Sequence, residues 1–343
     1  LDAACAAAAA AITDGVLHLR AGLIDVALAG GAYLNLTPDN LIGFTRVGAI
    51  SPTGACRPFD ARADGFVQGD GVGMLMLKRL GDAVKDGDRI YGVIRGLGCN
   101  NDGRGEGPMT PRVEGQLEVL RASYRDADCS PATIAYFEAH GTATRVGDPA
   151  EVEALGTLLL ESGADPNVPV PLGSVKGNVG HTMSAAGVAG LIKALKTVEH
   201  RVAPPLAGFT KPHPMLGFDR WPLLPSAEAI PLEGRGAPLR VGMSAFGFGG
   251  TNVHFVVEEA PEKSSRRPRT PRAPAVSEWP EALIVSGPTV PLLRAHLLEL
   301  GEAIEGDRAG QATLAEIAYT LNATRSKERF RAVLAVPTKA ALV

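Results

Sequence analysis

Ile134-Ala135-Tyr136-Phe137-Glu138-Ala139-His140-Gly141-Thr142-Ala143-Thr144 opens with an apolar strand over Ile134–Glu138 and empties into a glycine-containing loop over Ala139–Gly147. A helix follows over Pro149–Glu161. A second strand, Val170–Val175, then runs straight into Lys176-Gly177-Asn178-Val179-Gly180-His181. This β-α-β alternation argues a layered α/β fold. It also places two histidines and a lysine on loops just past strand ends, where acid/base groups commonly sit.

Working outward, residues 3–20 form a helix, because Ala dominates and is the strongest helix former, with Asp2 at the N-cap position. Leu23–Leu36 is expected to be a buried strand with close backbone approach at Gly30 and Gly31. Turn residues fill 37–64, which is expected to be loop. Phe66–Leu80 and Ile90–Asn100 read as strands joined by a charged turn over Gly81–Arg89. Arg112–Ala127 is an amphipathic helix with Leu117, Leu120 and Tyr124 on one side. Ser184–His200 is another, with Leu191, Ile192, Leu195 and Val198 inward. Leu239–Gly250 is a strand ending in a glycine loop, and Thr251–Glu258 is a further strand.

Composition changes at Ala260. Pro261–Ala275 carries Lys263, Arg266, Arg267, Arg269 and Arg272 among four prolines, the character of a solvated linker. No aromatics interleave with these charges, which argues against a nucleic-acid site. Beyond it, 281–343 reads as a small α/β unit: strand Ala282–Ser286, helices Leu292–Ile304 and Leu314–Thr324, strand Ala332–Val336.

Bulk properties narrow the function. The 343 residues are 45% apolar and only 5% aromatic, so a large core must rest on Ala, Val, Leu and Ile. The net charge of −3 offers no global field for nucleic acid or acidic lipid. Cys5, Cys56, Cys99 and Cys129 form no C-x-x-C pair, which argues against a zinc site and a disulfide framework and fits a reducing cytoplasm. Ala3–Ile12 is too short and too weakly apolar to span a bilayer, so no membrane partner is expected.

Four motifs carry chemistry. Asp2-Ala3-Ala4-Cys5 places a thiol at a helix N-terminus, where the dipole lowers its pKa; a lone Cys there is also often just a small buried hydrophobe. Glu138 to Thr144 offers His140. Ser174 to His181 offers Lys176 and His181 without the Gly-Lys-Ser/Thr spacing of a P-loop. Ser244-Ala245-Phe246-Gly247-Phe248-Gly249-Gly250-Thr251-Asn252 brings backbone N–H groups close to a ligand, and its two Phe residues suggest an apolar gate.

Taken together and in this order, the motifs resemble the β-ketoacyl synthase family, and more closely the ketosynthase domains of modular type I polyketide synthases. The matching residues are Asp2 to Cys5, Glu138 to Thr144, Gly147-Asp148-Pro149-Ala150-Glu151, Lys176 to His181, and Phe246 to Asn252. The resemblance implies a thiolase-like layered fold (α-β-α-β-α). It divides the chain into 1–90 and 91–260 as two ketosynthase halves, 261–280 as linker, and 281–343 as a unit preceding an acyltransferase domain. It implies that Cys5 accepts an acyl chain from an acyl carrier protein, and that His140 and His181 decarboxylate a malonyl-type extender. Lys176, with Glu151, would orient and charge-balance the histidines. The N–H groups of Cys5 and Phe248 would form an oxyanion hole, and Phe248 would gate the pocket. Asp148 and Glu151 would be supporting residues, near which a structural, non-catalytic cation fits by resemblance. No cofactor is implied in this domain beyond phosphopantetheine on the carrier partner. A homodimer is also implied.

Ala6 and Ala7 stand where the family commonly has serines, which implies altered packing rather than lost chemistry. The rivals are a thiolase or chalcone-synthase-like enzyme, which pairs Cys with His and Asn or a second Cys, a Cys/His hydrolase, and a catalytically silent structural ketosynthase module. The chain opens at Leu1, directly in the nucleophile motif. The expectation is a fragment lacking the leading part of the first half, and poorly folded by itself.

Overall fold

Alanine decides the first element. In the computed structural model, which describes residues 1–104, 107, 110–236, 238–261, 280–306, 312–325 and 327–342, Ala4–Ala6 form a 3-10 turn and Ala7–Arg20 continue as α1. The turn shifts the cap by one place. Ala3 is the N-cap, and Asp2 Oδ1 accepts the N–H of Ala4 at 3.0 Å. The small side chains of α1 let a second helix come close.

Strand β1 (Val26–Tyr33) pairs antiparallel with β2 (Gly71–Lys78). One face of this pair packs on α1. Gly30 and Gly31 do mark close approach, since a Cβ there would lie 2.0 Å from Gly73 O and 2.8 Å from the Ala8 Cβ. The strand expected to be buried is nonetheless half-exposed: Leu28 is 71% and its partner Met76 68% accessible. Two expected loops contain helices, α2 (Asp39–Arg46) and α3 (Leu80–Asp86). Proline and glycine at the ends of α2 (Pro38, Gly48) gave its segment the look of a loop. β2 and β3 (Val93–Asn101) belong to different sheets.

The larger sheet has six strands in the order β3-β10-β9-β4-β5-β7. Its members are β4 (Tyr136–Glu138), β5 (Val170–Gly173), β7 (Leu223–Pro225), β9 (Arg240–Phe246) and β10 (Thr251–Glu258), beside β3. Strand β10 runs antiparallel to both neighbours, while β9, β4, β5 and β7 are parallel. Short β6 (Val202–Ala203) and β8 (Ile230–Pro231) pair separately.

Helices α4 (Val113–Asp126) and α5 (Gly147–Glu161) cover one face of the large sheet, where Leu120, Leu155 and Leu159 meet Phe137 and Val170. Between α5 and the last helix of this unit lies the short α6 (Lys176–Val179). That last helix, α7 (Ala186–His200), lies on the other face together with α1 and touches β1 and β2 beyond. Sheet, helices, sheet, helices therefore stack as layers. Leu191 and Val198 point inward as expected, but Ile192 is 37% accessible because α7 turns that side outward.

Contacts divide the chain into two compact units, 1–267 and 268–343. The second pairs β11 (Glu281–Gly287) with β12 (Phe330–Val336) and adds α8 (Val290–Glu305) and α9 (Leu314–Ala323). Leu283, Ile317, Ala318 and Val336 form its core, and Thr313 with Glu316 makes a capping box. Most of the basic linker, 262–279, lies outside the described residues. Among the described residues no helix is long and apolar enough to cross a membrane.

Candidate active site

The loop after β4 is shaped by two buried carboxylates of α5. Glu151, 2% accessible, accepts the N–H groups of His140 at 2.7 Å and Gly141 at 2.8 Å. Asp148 accepts those of Ala143 at 2.9 Å and Phe59 at 2.8 Å. Burial raises both carboxyls to about 7, against the pull of these N–H groups. Gly141 takes φ +45°, and a Cβ there would meet Ser174 at 2.7 Å. The backbone demands of this loop thus select both the glycine and the carboxylates.

Lys176 opens α6, just after β5. Its Nζ donates to the carbonyl oxygen of His140 and lies 3.3 Å from His140 Nδ1. An ammonium has only N–H to give, so Nδ1 accepts and the proton of the neutral ring sits on Nε2. His181 reaches the same tautomer by another route: the N–H of Met183 donates to its Nδ1 at 3.1 Å. His181 Nε2 is buried and unpartnered among the described residues. The two rings stand 5.5 Å apart at 84°. Burial pushes both well below the ordinary imidazole range, and the charge on Lys176 pushes them further. Both are neutral N–H donors at pH 7. The expected pairing of Lys176 with Glu151 acts only through space, since both Glu151 oxygens are engaged by backbone N–H groups.

Cys5 is 2% accessible and sits in the 3-10 turn before α1. Burial pushes its thiol up to about 11. Lys176 and the N–H groups of Phe248 and of Cys5 itself pull the other way without prevailing. The expected lowered pKa is thereby reversed, because loss of water outweighs the local dipole. Cys5, His140, His181, Phe246, Phe248 and Gln116 line one cavity of about 70 Å³, room for a few waters rather than an acyl chain. Among the described residues no group of three or more His, Cys, Asp or Glu side chains is arranged to hold a metal ion.

Comparison with known proteins decides the family. The β-ketoacyl synthase N-terminal domain matches residues 1–83, the C-terminal domain of the same family matches 91–210, and the ketoacyl-synthetase C-terminal extension matches 212–333. This chain belongs to the β-ketoacyl synthase family. It is 44% identical over 338 residues to a phenolphthiocerol/phthiocerol polyketide synthase of Mycobacterium tuberculosis, covering 98% of this chain and 18% of that protein. Among solved structures it is similar to the ketosynthase from module 6 of the bacillaene synthase of Bacillus subtilis 168 (TM-score 0.76, 34% identity, 100% of this chain, 58% of that one). It is also similar to the oxazolomycin ketosynthase domain of Streptomyces albus JA3453 (TM-score 0.75, 32% identity, 100% and 58%). The chain spans about a fifth of the length of the curated relatives it matches. The fold is the thiolase-like layered fold of these ketosynthases.

Some parts of this ketosynthase site escape sequence reading. Phe248 packs against Phe44 at 5.5 Å between centroids, Phe44 against Phe66 at 5.6 Å, and Phe66 against His181 at 4.9 Å. Phe44 lies on α2, and the spacing Leu41, Phe44, Val47 was the signal for that helix. Asn252 donates to Asn100 at 3.1 Å and Asp102 at 2.7 Å, tying the glycine loop to β3. Gln116 Oε1 is buried without a partner among the described residues. His254 is fully buried between Ser244 and Tyr124, a structural residue. Cys56 is buried in the apolar cluster that holds Cys5, whereas Cys99 is exposed and Cys129 half-buried.

Proposed function

We propose that this ketosynthase chain carries the reacting residues of a decarboxylative Claisen condensation in polyketide, or fatty-acid-like, chain elongation. One observation supports it above all: two neutral imidazoles present Nε2–H donors to the cavity that holds a buried thiol.

In the first step Cys5 Sγ attacks an acyl thioester on the phosphopantetheine arm of an acyl carrier protein. The N–H groups of Cys5 and Phe248 receive the oxyanion. The carrier thiol leaves with the proton that Cys5 gives up. In the second step a malonyl-type extender loses CO₂. Its C–C electron pair becomes an enolate, whose oxygen accepts hydrogen bonds from His140 and His181. The carbanion attacks the Cys5 thioester, a C–C bond forms, the C–S bond breaks, and the Cys5 thiolate takes up a proton. Lys176 keeps His140 in the donor tautomer, and Asp148 and Glu151 support the loop. Phe248, leaning on Phe44, must move to admit a chain.

The same reading gives this domain an acyl carrier protein and a neighbouring acyltransferase as partners, a homodimeric state and a cytoplasmic setting. It divides the chain at 90/91, 260/261 and 280/281. The test is His181→Ala in the full-length protein. Removing one such donor is expected to slow CO₂ release from a malonyl carrier thioester about 10²–10³-fold, while Cys5 still takes up an acyl group. Undiminished CO₂ release would remove His181 from the mechanism.

A further inference from the structure

Glu138 ends β4, is 1% accessible, and has no part in the steps above. Its carboxylate is nonetheless fully engaged. Oε1 accepts the N–H of Val175 at 2.6 Å, and Oε2 accepts the hydroxyl of Tyr136 at 2.7 Å. Lys193 Nζ, on α7, lies 2.8 Å from Oε2, an ion pair without the alignment of a hydrogen bond. Buried ion pairs are poor stabilisers, because desolvation offsets their attraction. Such a pair beside an otherwise apolar core calls for a second reason.

The reason lies in what the carboxylate connects. Glu138 stands two residues before His140, and Val175 one residue before Lys176. Strands β4 and β5 are neighbours, paired at Glu138 and Gly173. One side chain therefore links the two strand ends that deliver His140 and Lys176. The crossing has its own requirement: a Cβ on Gly173 would stand 2.2 Å from the Tyr136 hydroxyl and 3.2 Å from Lys193 Nζ. Only glycine leaves the path open.

We propose that Glu138, held by Lys193 and Tyr136, is a positioning residue for the Lys176–His140 contact. It fixes the offset between the two strand ends, and so the direction in which His140 presents its Nε2–H. This role rests on the decarboxylative reading above. Misplacement by about 1 Å far from the reacting atoms is enough to cost about 10²-fold in rate.

The test compares wild type, Glu138→Gln and Glu138→Gln/Lys193→Met in the full-length protein. Gln keeps the size and one acceptor but loses the charge; Met removes the ammonium then left unpaired. Three quantities are measured: melting temperature, acyl uptake on Cys5 by intact mass, and CO₂ release from a malonyl carrier thioester. In Glu138→Gln, CO₂ release is expected to fall about tenfold or more, with acyl uptake within about twofold of wild type. The double variant is expected to regain melting temperature without regaining CO₂ release. Unchanged CO₂ release in Glu138→Gln overturns the proposal. So does a joint fall of both activities that recovers with stability in the double variant. Acyl uptake without CO₂ release in wild type would instead overturn the decarboxylative reading itself, and this role with it.

Discussion

At the scale of single residues, the ionisation of Cys5 is the point where local and long-range physics part. A thiol near a helix start suggests a thiolate, but the folded chain removes water and raises it to about 11. Below that value the reactive thiolate fraction grows about tenfold per pH unit. Alkylation of Cys5 by iodoacetamide, followed by intact mass, is therefore expected to accelerate steadily from pH 7 to 9. A rate already level at pH 7 would mean a low-pKa thiolate and contradict this account. The motifs that hold Cys5, His140, Lys176 and His181 were legible from their spacing, and the fold brings Cys5, His140 and His181 to one cavity with Lys176 on His140. Their protonation states were not legible, since those follow from burial around a cavity assembled from segments distant in sequence. Glu138 shows the same limit: its partners Val175 and Lys193 are joined to it only by the fold.

At the scale of elements, long periodic segments were readable and short ones were not. Thr251–Glu258 matches β10 throughout, and the four elements of 281–343 lie where periodicity puts them. The three-residue β7 lies in proline-rich sequence too short for a pattern, and α2 hides between turn formers. The contact between α1 and α7 was also invisible, although it sets the depth of Cys5. It depends on Gly187, where a Cβ would lie 2.7 Å from Ala9 N and 2.8 Å from Ala9 Cβ. Backbone cannot give way as a flexible side chain does. Gly187→Val is expected to destabilise the fold by about 1–3 kcal/mol or more through overpacking. Urea denaturation of the full-length protein checks it, and an unchanged midpoint would show that the helices part without cost.

At the scale of the whole molecule, the layered order was legible from β-α-β alternation, but the partition of strands between sheets was not. Phe66–Leu80 and Ile90–Asn100 look like neighbours, yet β2 and β3 sit in different sheets. The β1–β2 pair leaves an apolar outer face in which Leu28, Val72, Met74 and Met76 are exposed. Exposed apolar faces of this kind drive association. The 343-residue protein is expected to self-associate on size exclusion through this face. A monodisperse monomer would contradict that. The central claim is that Cys5 carries the acyl chain. It is tested most directly by incubating the full-length protein with a short acyl thioester and weighing it intact, beside a Cys5→Ala control. The account predicts a gain of one acyl group that the control lacks. A folded wild-type protein that gains nothing, or a control that gains equally, would contradict it.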